Sequence, residues 1–380
     1  MRKIILKTSI VVIVLLILSS CSRVNKTSEY SIDAEQYRHQ NNSQYFVETD
    51  NGYYYMNPNG RRNIMFSERN KNEFYILCNK PDCSHSDENC NAYAGEAFGY
   101  YNNHLYAVSV DQSSSAFYLN QLDMDGSNHK RITRLPEQLS SDGGTRYGGG
   151  TYYFNNGYLI MGLPPIQEDN KSKQKYYKIN LETGDTTELF SDFIEYGMES
   201  SWNESISNDK LYFVLKDIKT NTASLYEGDL NNGKITLTIE NWNIHNSTPI
   251  NFNDTLYYYK SLVGYCEYDK KTNTETIKYP ANYYISQTVY TDDYILAKAT
   301  PTTDDEADPE WDFIVLDREY NFINKCELRK GYDGPEFDYY ADDKAFFSAL
   351  TDGKLTHYID LTKANRNLDM IEIKDPYSLR

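Results

Sequence analysis

NNGYLI, residues Asn155–Ile160, places two turn-forming residues and one more in front of an apolar-aromatic run. The arrangement returns as DNGYYY (50–55), NNHLYA (102–107), NDKLYF (208–213), NDTLYY (253–258), DDYILA (292–297) and DDKAFF (342–347). Asn and Asp tolerate the positive φ of tight hairpins, and β-branched or aromatic neighbours favour strands. Asn51 to Asp343 spans 292 residues in six intervals, about 49 residues each.

Each first hairpin is followed by a second, clearest in FYLNQLDMDGSNHKRITRL (117–135) and YYKINLETGDTTELF (176–190). Two hairpins per repeat make four strands, the content of one β-propeller blade. Hardly any stretch has the apolar spacing of a long helix. The reading is an all-β propeller of seven four-stranded blades, Gln44 to about Lys374, with six or eight blades or a pair of β-sandwiches as alternatives. A solenoid coil would repeat at shorter spacing. Blades one and seven are each complete from their own strands, so no strand exchange locks the ends and ring closure is left in doubt.

The N-terminus, MRKIILKTSIVVIVLLILSSCS, has a short basic start and an apolar run from Ser9 to Leu18, too short for a comfortable membrane span. The following Leu18-Ser19-Ser20-Cys21 resembles the bacterial lipobox, in which the signal is cut before a cysteine that carries a diacylglyceryl group. The alternative is an ordinary secretory signal with a chance cysteine. The expected organisation is a signal peptide over 1–20, a lipidated Cys21 with a flexible tether over 21–43, and the propeller over 44–380. A lipid chain contributes ~0.8 kcal/mol per buried CH₂, which places the chain at the extracytoplasmic face of a membrane. At ~3.3 Å per residue, the tether reaches roughly 65 Å when extended.

The formal charge is −17; without the signal, 35 basic residues stand against 55 acidic ones, a net −20. So acidic a body is repelled by nucleic acid and by anionic lipid, which argues against both as partners.

LCNKPDCSHSDENC (77–90) holds Cys78, Cys83, His85 and Cys90 in the spacing C-x4-C-x-H-x4-C, between the last strand of blade one and the first of blade two. Three thiolates and an imidazole can complete a tetrahedral zinc shell, which leaves no open position and makes the ion structural. The alternative is a Cys83–Cys90 disulfide with Cys78 left single, plausible in an exported chain; unpaired thiols are a third reading. Cys266 and Cys326 read as two separate buried thiols.

Together, the lipobox, the D-x-D-G-S-N hairpin (123–128) and the cysteine segment resemble lipobox-bearing β-propeller lipoproteins of clostridia-type bacteria with TolB-like blades. The resemblance covers the whole mature chain and implies fold and location; it implies no activity.

Other motifs have simpler readings. LDMDGSNH lacks the twelfth-position Glu of a calcium loop and reads as a turn. The acidic PTTDDEADPEWD (301–312) reads as a solvated loop, with a weak Ca²⁺ site as the alternative. SSDGGTRYGGGTYY (140–153) leads into a strand rather than a helix, so it is a sharp turn and not a phosphate cradle. The motifs of serine hydrolases, zincins and penicillin-binding enzymes are absent, so no catalytic residue is assigned. The 37 tyrosines read as strand formers, with ligand stacking around a channel as the alternative.

The expected function is a membrane-tethered binding or scaffold module for a protein, peptide or glycan. One alternative is an enzyme acting on extracellular glycans or peptides from a site at the channel mouth. Another is a sensory or assembly subunit whose partner lies in the membrane.

Overall fold

The computed structural model describes residues 44–374 apart from 87–88, 112, 140–145, 148–149, 165, 169–170, 191–197, 218–219, 221, 248, 253, 262, 281–282, 292, 302–309, 331–335, 342 and 350–351. Cys21, its tether and most of the acidic stretch 301–312 therefore lie outside the described residues.

Seven four-stranded antiparallel sheets follow one another along the chain, each with its strands in sequence order. Blade 1 consists of Phe46–Thr49, Gly52–Met56, Ile64–Glu68 and Tyr75–Ile76; blade 7 of Glu336–Tyr340, Lys344–Ser348, Leu355–Asp360 and Met370–Glu372. Blades 2 to 6 occupy 97–134, 151–189, 198–239, 250–280 and 283–330. The first strands of blades 1, 2 and 3 lie against one another, as do those of blades 4 and 5, so the first strands form the inner edge of the ring. The helical content among the described residues is a single 3₁₀ turn, Leu361–Lys363. A small hairpin, Gln138–Leu139 with Arg146–Tyr147, occupies part of the glycine-rich stretch.

The repeated turn does what its residues allow. Asn102 and Asn103, Asn156 and Gly157, and Asn208 and Asp209 all have φ between 46° and 79°, the left-handed pair of an I′ hairpin. Blade 1 departs from this: Asp50 and Asn51 close its turn outside the left-handed region, and Gly52 takes φ 153°. Positive φ is therefore one route through this turn, and the repeat is defined by polar two-residue loops more than by one backbone geometry.

Strand periodicity explains why the middle strands are apolar throughout. In the second strand of blade 3 (Tyr158–Gly162), Leu159 and Met161 pack with Ala97, Val108 and Leu119 of blade 2. Ile160, between them, packs with Ile206, Leu211 and Phe213 of blade 4. Successive side chains point to opposite faces, and each face of a blade is covered by a neighbour. Tyrosines fill the same seams and send their hydroxyls to acceptors at the rim. Tyr212 donates to Glu227 at 3.0 Å, Tyr258 to Glu275, and Tyr55 to the Gly353 carbonyl at 2.5 Å. For Tyr212 and Tyr258 the abundance of Tyr and of acid is one feature, since acids receive their phenols.

The ends of the ring meet without strand exchange, which removes the doubt about closure. Phe46, Tyr53 and Tyr55 of blade 1 share a buried cluster with Tyr339 and Phe346 of blade 7. Burying an aromatic side chain of this size is worth ~1.5–3 kcal/mol, so several together replace what a shared strand would supply. Lys344 Nζ lies 4.7 Å from the Tyr53 ring centroid and 4.8 Å from that of Tyr358, and donates to the Arg69 carbonyl at 2.5 Å. The Lys374 amide donates to the Asn72 carbonyl at 2.9 Å beside a parallel bridge between Glu73 and Lys374.

Candidate metal centre

The segment after Tyr75–Ile76 has few backbone partners of its own and is shaped by local turns. The Cys78 amide donates to the Ile76 carbonyl (2.7 Å), Cys83 to Lys80 (3.3 Å) and Tyr93 to Cys90 (3.1 Å). His85 takes φ 54°, a left-handed conformation that turns the chain back on itself. The result brings Cys78, Cys83, His85 and Cys90 together, with one ligand atom from each within 4.8 Å of all the others. His85 Nδ1 is 3.3 Å from Cys90 Sγ. A tetrahedral ion with ~2.3 Å bonds to sulfur holds its ligand atoms ~3.8 Å apart, so the four donors need only a small contraction to close around one. This cluster can hold a metal ion. All four expected residues converge, and their sulfurs are free thiols.

The thiols are unequal. Burial pushes Cys90 up to about 12, with the Ala92 amide pulling the other way and Cys83 and Cys78 adding to the rise. Burial also raises Cys78, but the amides of Lys80 and Asn91 and the neighbouring thiols outweigh it and hold that thiol below its ordinary value. Adjacent thiolates repel one another in a half-buried site. A cation is what lets several ionise together, and metal binding there releases protons.

The surroundings clamp the loop to both neighbouring blades. Asn63 Nδ2 donates to the His85 carbonyl at 2.8 Å, Ile64 N to Ala92 O at 2.7 Å, and Lys80 Nζ to Asn89 O at 2.6 Å. From blade 2, His129 Nε2 lies 2.8 Å from the Asn91 carbonyl, and Gly126 presses on Leu77. A Cβ at Gly126 would stand 2.3 Å from the Leu77 carbonyl oxygen, and its φ of 78° also favours glycine. The D-x-D-G-S-N segment is the turn its sequence suggests, with Ser127 N on Asp125 Oδ1 at 2.9 Å. Its packing against the cysteine loop is a role that the sequence did not signal. Cys266 and Cys326 lie in separate buried clusters as free thiols.

Two further carboxylates stand near the inner edge, on opposite sides of the first strand of blade 3 (Thr151–Asn155). Glu204 of blade 4 accepts from Thr151 Oγ1 (3.2 Å), Tyr153 OH (3.3 Å) and Tyr176 OH (2.5 Å). Burial pushes its carboxyl above the ordinary range while those donors pull it down. Glu96, just before the first strand of blade 2, exerts its charge on Tyr152, which packs on the blade 2 side. A strand separates the two acids, so they do not form a paired acid–base site.

The fold and site define a seven-bladed β-propeller with a Cys₃His cluster between its first two blades. No protein-family model matches the chain, and no curated protein matches it. Solved structures similar to it include a puromycin-hydrolyzing peptidase of Mycobacterium tuberculosis, at 11% identity and TM-score 0.49, covering 90% of this chain and 55% of that one. The chain thus spans about half the length of that peptidase. TolB from Acinetobacter baumannii is similar at 12% identity and TM-score 0.37, over 82% of this chain and 77% of that one. The computationally designed Ika8 protein is similar at 10% identity and TM-score 0.45, over 83% and 96%. The fold assignment stands on the strand pairings of the chain itself.

Proposed function

We propose that the chain is a lipid-tethered extracytoplasmic propeller that binds a protein, peptide or glycan, with a structural zinc held by Cys78, Cys83, His85 and Cys90. The observation that carries this reading is the convergence of those four donors in a loop braced by both adjacent blades. A four-ligand shell has no vacant position for substrate, so the ion would stiffen a platform and perform no chemistry. Rigid inter-blade loops are where a propeller presents recognition groups, because the strands beneath them do not move. The tether rests on the lipobox-like Leu18–Cys21 and the apolar run before it. Among the described residues, no helix is long and apolar enough to cross a membrane.

Intact mass spectrometry of the full chain, isolated from membranes under native and denaturing conditions, tests both halves. A diacylglyceryl adduct on Cys21 and one zinc lost on denaturation are expected. A soluble, unmodified chain would overturn the tether. A metal-free chain with two thiols appearing only on reduction would replace the zinc by a disulfide. Photo-crosslinking from Ser84 in membranes should trap a partner; uniform failure with folded protein counts against a binding role for that face.

A further inference from the structure

The four donors of the metal loop are not equally reachable. Cys90 and His85 are buried, at 1% and 5% exposure. Cys78 and Cys83 are only half-buried, so solvent meets both of them. The Cys90 sulfur is also held in place, with the Ala92 amide donating to it at 3.4 Å and His85 Nδ1 3.3 Å away.

A short turn joins the two open cysteines, with the Cys83 amide on the Lys80 carbonyl at 3.3 Å. Two side chains pin that turn to the other arm of the loop. Lys80 Nζ donates to the Asn89 carbonyl at 2.6 Å, and Asn91 Nδ2 donates to Asn79 Oδ1 at 3.0 Å. Cys78 and Cys83 therefore share one arm, with sulfurs within 4.8 Å of each other. A disulfide closes at ~2.05 Å, so a bond between them needs a movement of under ~3 Å. On the other arm, His85 has φ 54°. Such a conformation costs a side-chain-bearing residue energy and persists where its contacts enforce it.

We propose that Cys78 and Cys83 form a thiol–disulfide switch, worked by a small external disulfide such as oxidised glutathione, that expels the ion and loosens the loop. The switch rests on the reading of the four donors as a zinc site and adds its regulation. The first of the two sulfurs attacks the external disulfide; one sulfur bonds to the cysteine and the other leaves as a thiolate. The second cysteine sulfur then attacks the first, which forms the Cys78–Cys83 bond and releases a second thiolate. Two electrons pass from the cysteine pair to the external disulfide, and the negative charges of the pair leave with its two halves. His85 and Cys90 alone are too few to hold the ion. With it go the bonds that fix both buried donors, and segment 84–90 loses what keeps it folded back. In the extracytoplasmic position proposed above, small disulfides persist, so the reactant is at hand. Cys266 and Cys326 lie in separate buried clusters and take no part.

The test treats the zinc-loaded full chain with excess oxidised glutathione. Released zinc is read with a chromophoric chelator, and cysteine pairs are mapped by mass spectrometry after capping free thiols. Zinc should leave, a Cys78–Cys83 pair should form, and Cys90, Cys266 and Cys326 should be capped as thiols. Reduction should restore zinc binding. Hydrogen exchange over 84–90 should rise in the oxidised form while blades 4 to 6 stay unchanged. Cys78→His keeps a fourth ligand but removes the pair, and should slow zinc loss about tenfold or more. Zinc retained under the oxidant, a pair that includes Cys90, or zinc loss from Cys78→His at the parental rate overturns the switch and leaves the zinc site standing. A Cys78–Cys83 bond with exchange unaltered overturns the loosening of the loop. A chain that takes up no zinc even when fully reduced overturns the zinc reading, and the switch with it.

Discussion

The Tyr53 hydroxyl donates to Asp343 Oδ1 at 2.5 Å across 290 residues of sequence, joining the first blade to the last. Arg69 NH1 lies 3.6 Å from the same carboxylate oxygen, and Arg69 NH2 lies 2.7 Å from Glu48. The seam thus has a polar network outside its aromatic cluster. Tyr53→Phe removes one charge-assisted hydrogen bond and should cost ~1.5–3 kcal/mol in urea unfolding. Hydrogen exchange should rise first in blades 1 and 7; a uniform rise across all blades would show that the seam does not open locally.

Glu204 makes stability depend on pH with a definite sign. Burial raises its folded pKa above the ordinary value, so the native chain keeps a proton that the unfolded chain has released. Its contribution is full below about 4.5, the unfolded value, and declines as pH rises through the folded value. Glu204→Gln stays neutral and keeps one carbonyl oxygen, which can accept from Thr151 and Tyr153 while its NH₂ faces the Tyr176 oxygen. The stability difference between variant and parent should move in favour of the variant as pH climbs from about 4.5 to the folded value, and level off above it. A difference independent of pH would mean that folding does not shift this carboxyl.

Gly99, in the first strand of blade 2, has the Phe154 ring of blade 3 where a side chain would stand. A Cβ there would lie 2.2 Å from Phe154 Cγ. Gly99→Ala should therefore cost ~1–3 kcal/mol through overpacking. Adding Phe154→Leu should restore part of that loss, and thermal unfolding of the double variant reads the coupling. Strict additivity would show that the two blades can separate at this point at little cost.

Removing metal should act locally. Chelation, or Cys90→Ser, should raise hydrogen exchange over 78–94 and over the 124–129 turn that packs on it, and leave blades 4 to 6 unchanged. The reverse pattern, protection lost throughout the ring, would make the ion a keystone of the whole fold. Exchange that does not respond to chelation would remove it from the structure altogether.

The seven blades were legible because a blade writes its own signature in local sequence. Asn155-Asn156-Gly157 states a turn, and Tyr158–Gly162 states a strand buried on both faces. The cysteine cluster was legible for a similar reason, since its four donors lie within thirteen residues. What lay hidden was every contact between blades. Asn63 supports His85 through an amide 22 residues away, and Lys298 of blade 6 reaches Glu336 of blade 7 at 2.7 Å while lying 4.9 Å from the Trp311 ring centroid. With 55 acidic residues in the chain, nothing in their spacing selects Glu336, Glu96 or Glu204. The closing seam was hidden too: strand counting registers the absence of an exchanged strand, whereas aromatic packing between Phe46 and Tyr339, 5.3 Å apart at their ring centroids, leaves no pattern in one dimension.

Because every sheet is assembled from one continuous stretch, the ring has no privileged starting point. Cutting the chain between blades 3 and 4 and joining 374 to 44 through a short linker would leave every strand pairing as it is, and would turn the present seam into a covalent junction. Inherited material is constrained in the same way. A duplication or deletion of one repeat of about 49 residues inserts or removes a finished blade, so change in this architecture can proceed by whole modules, with the metal loop travelling between its two blades.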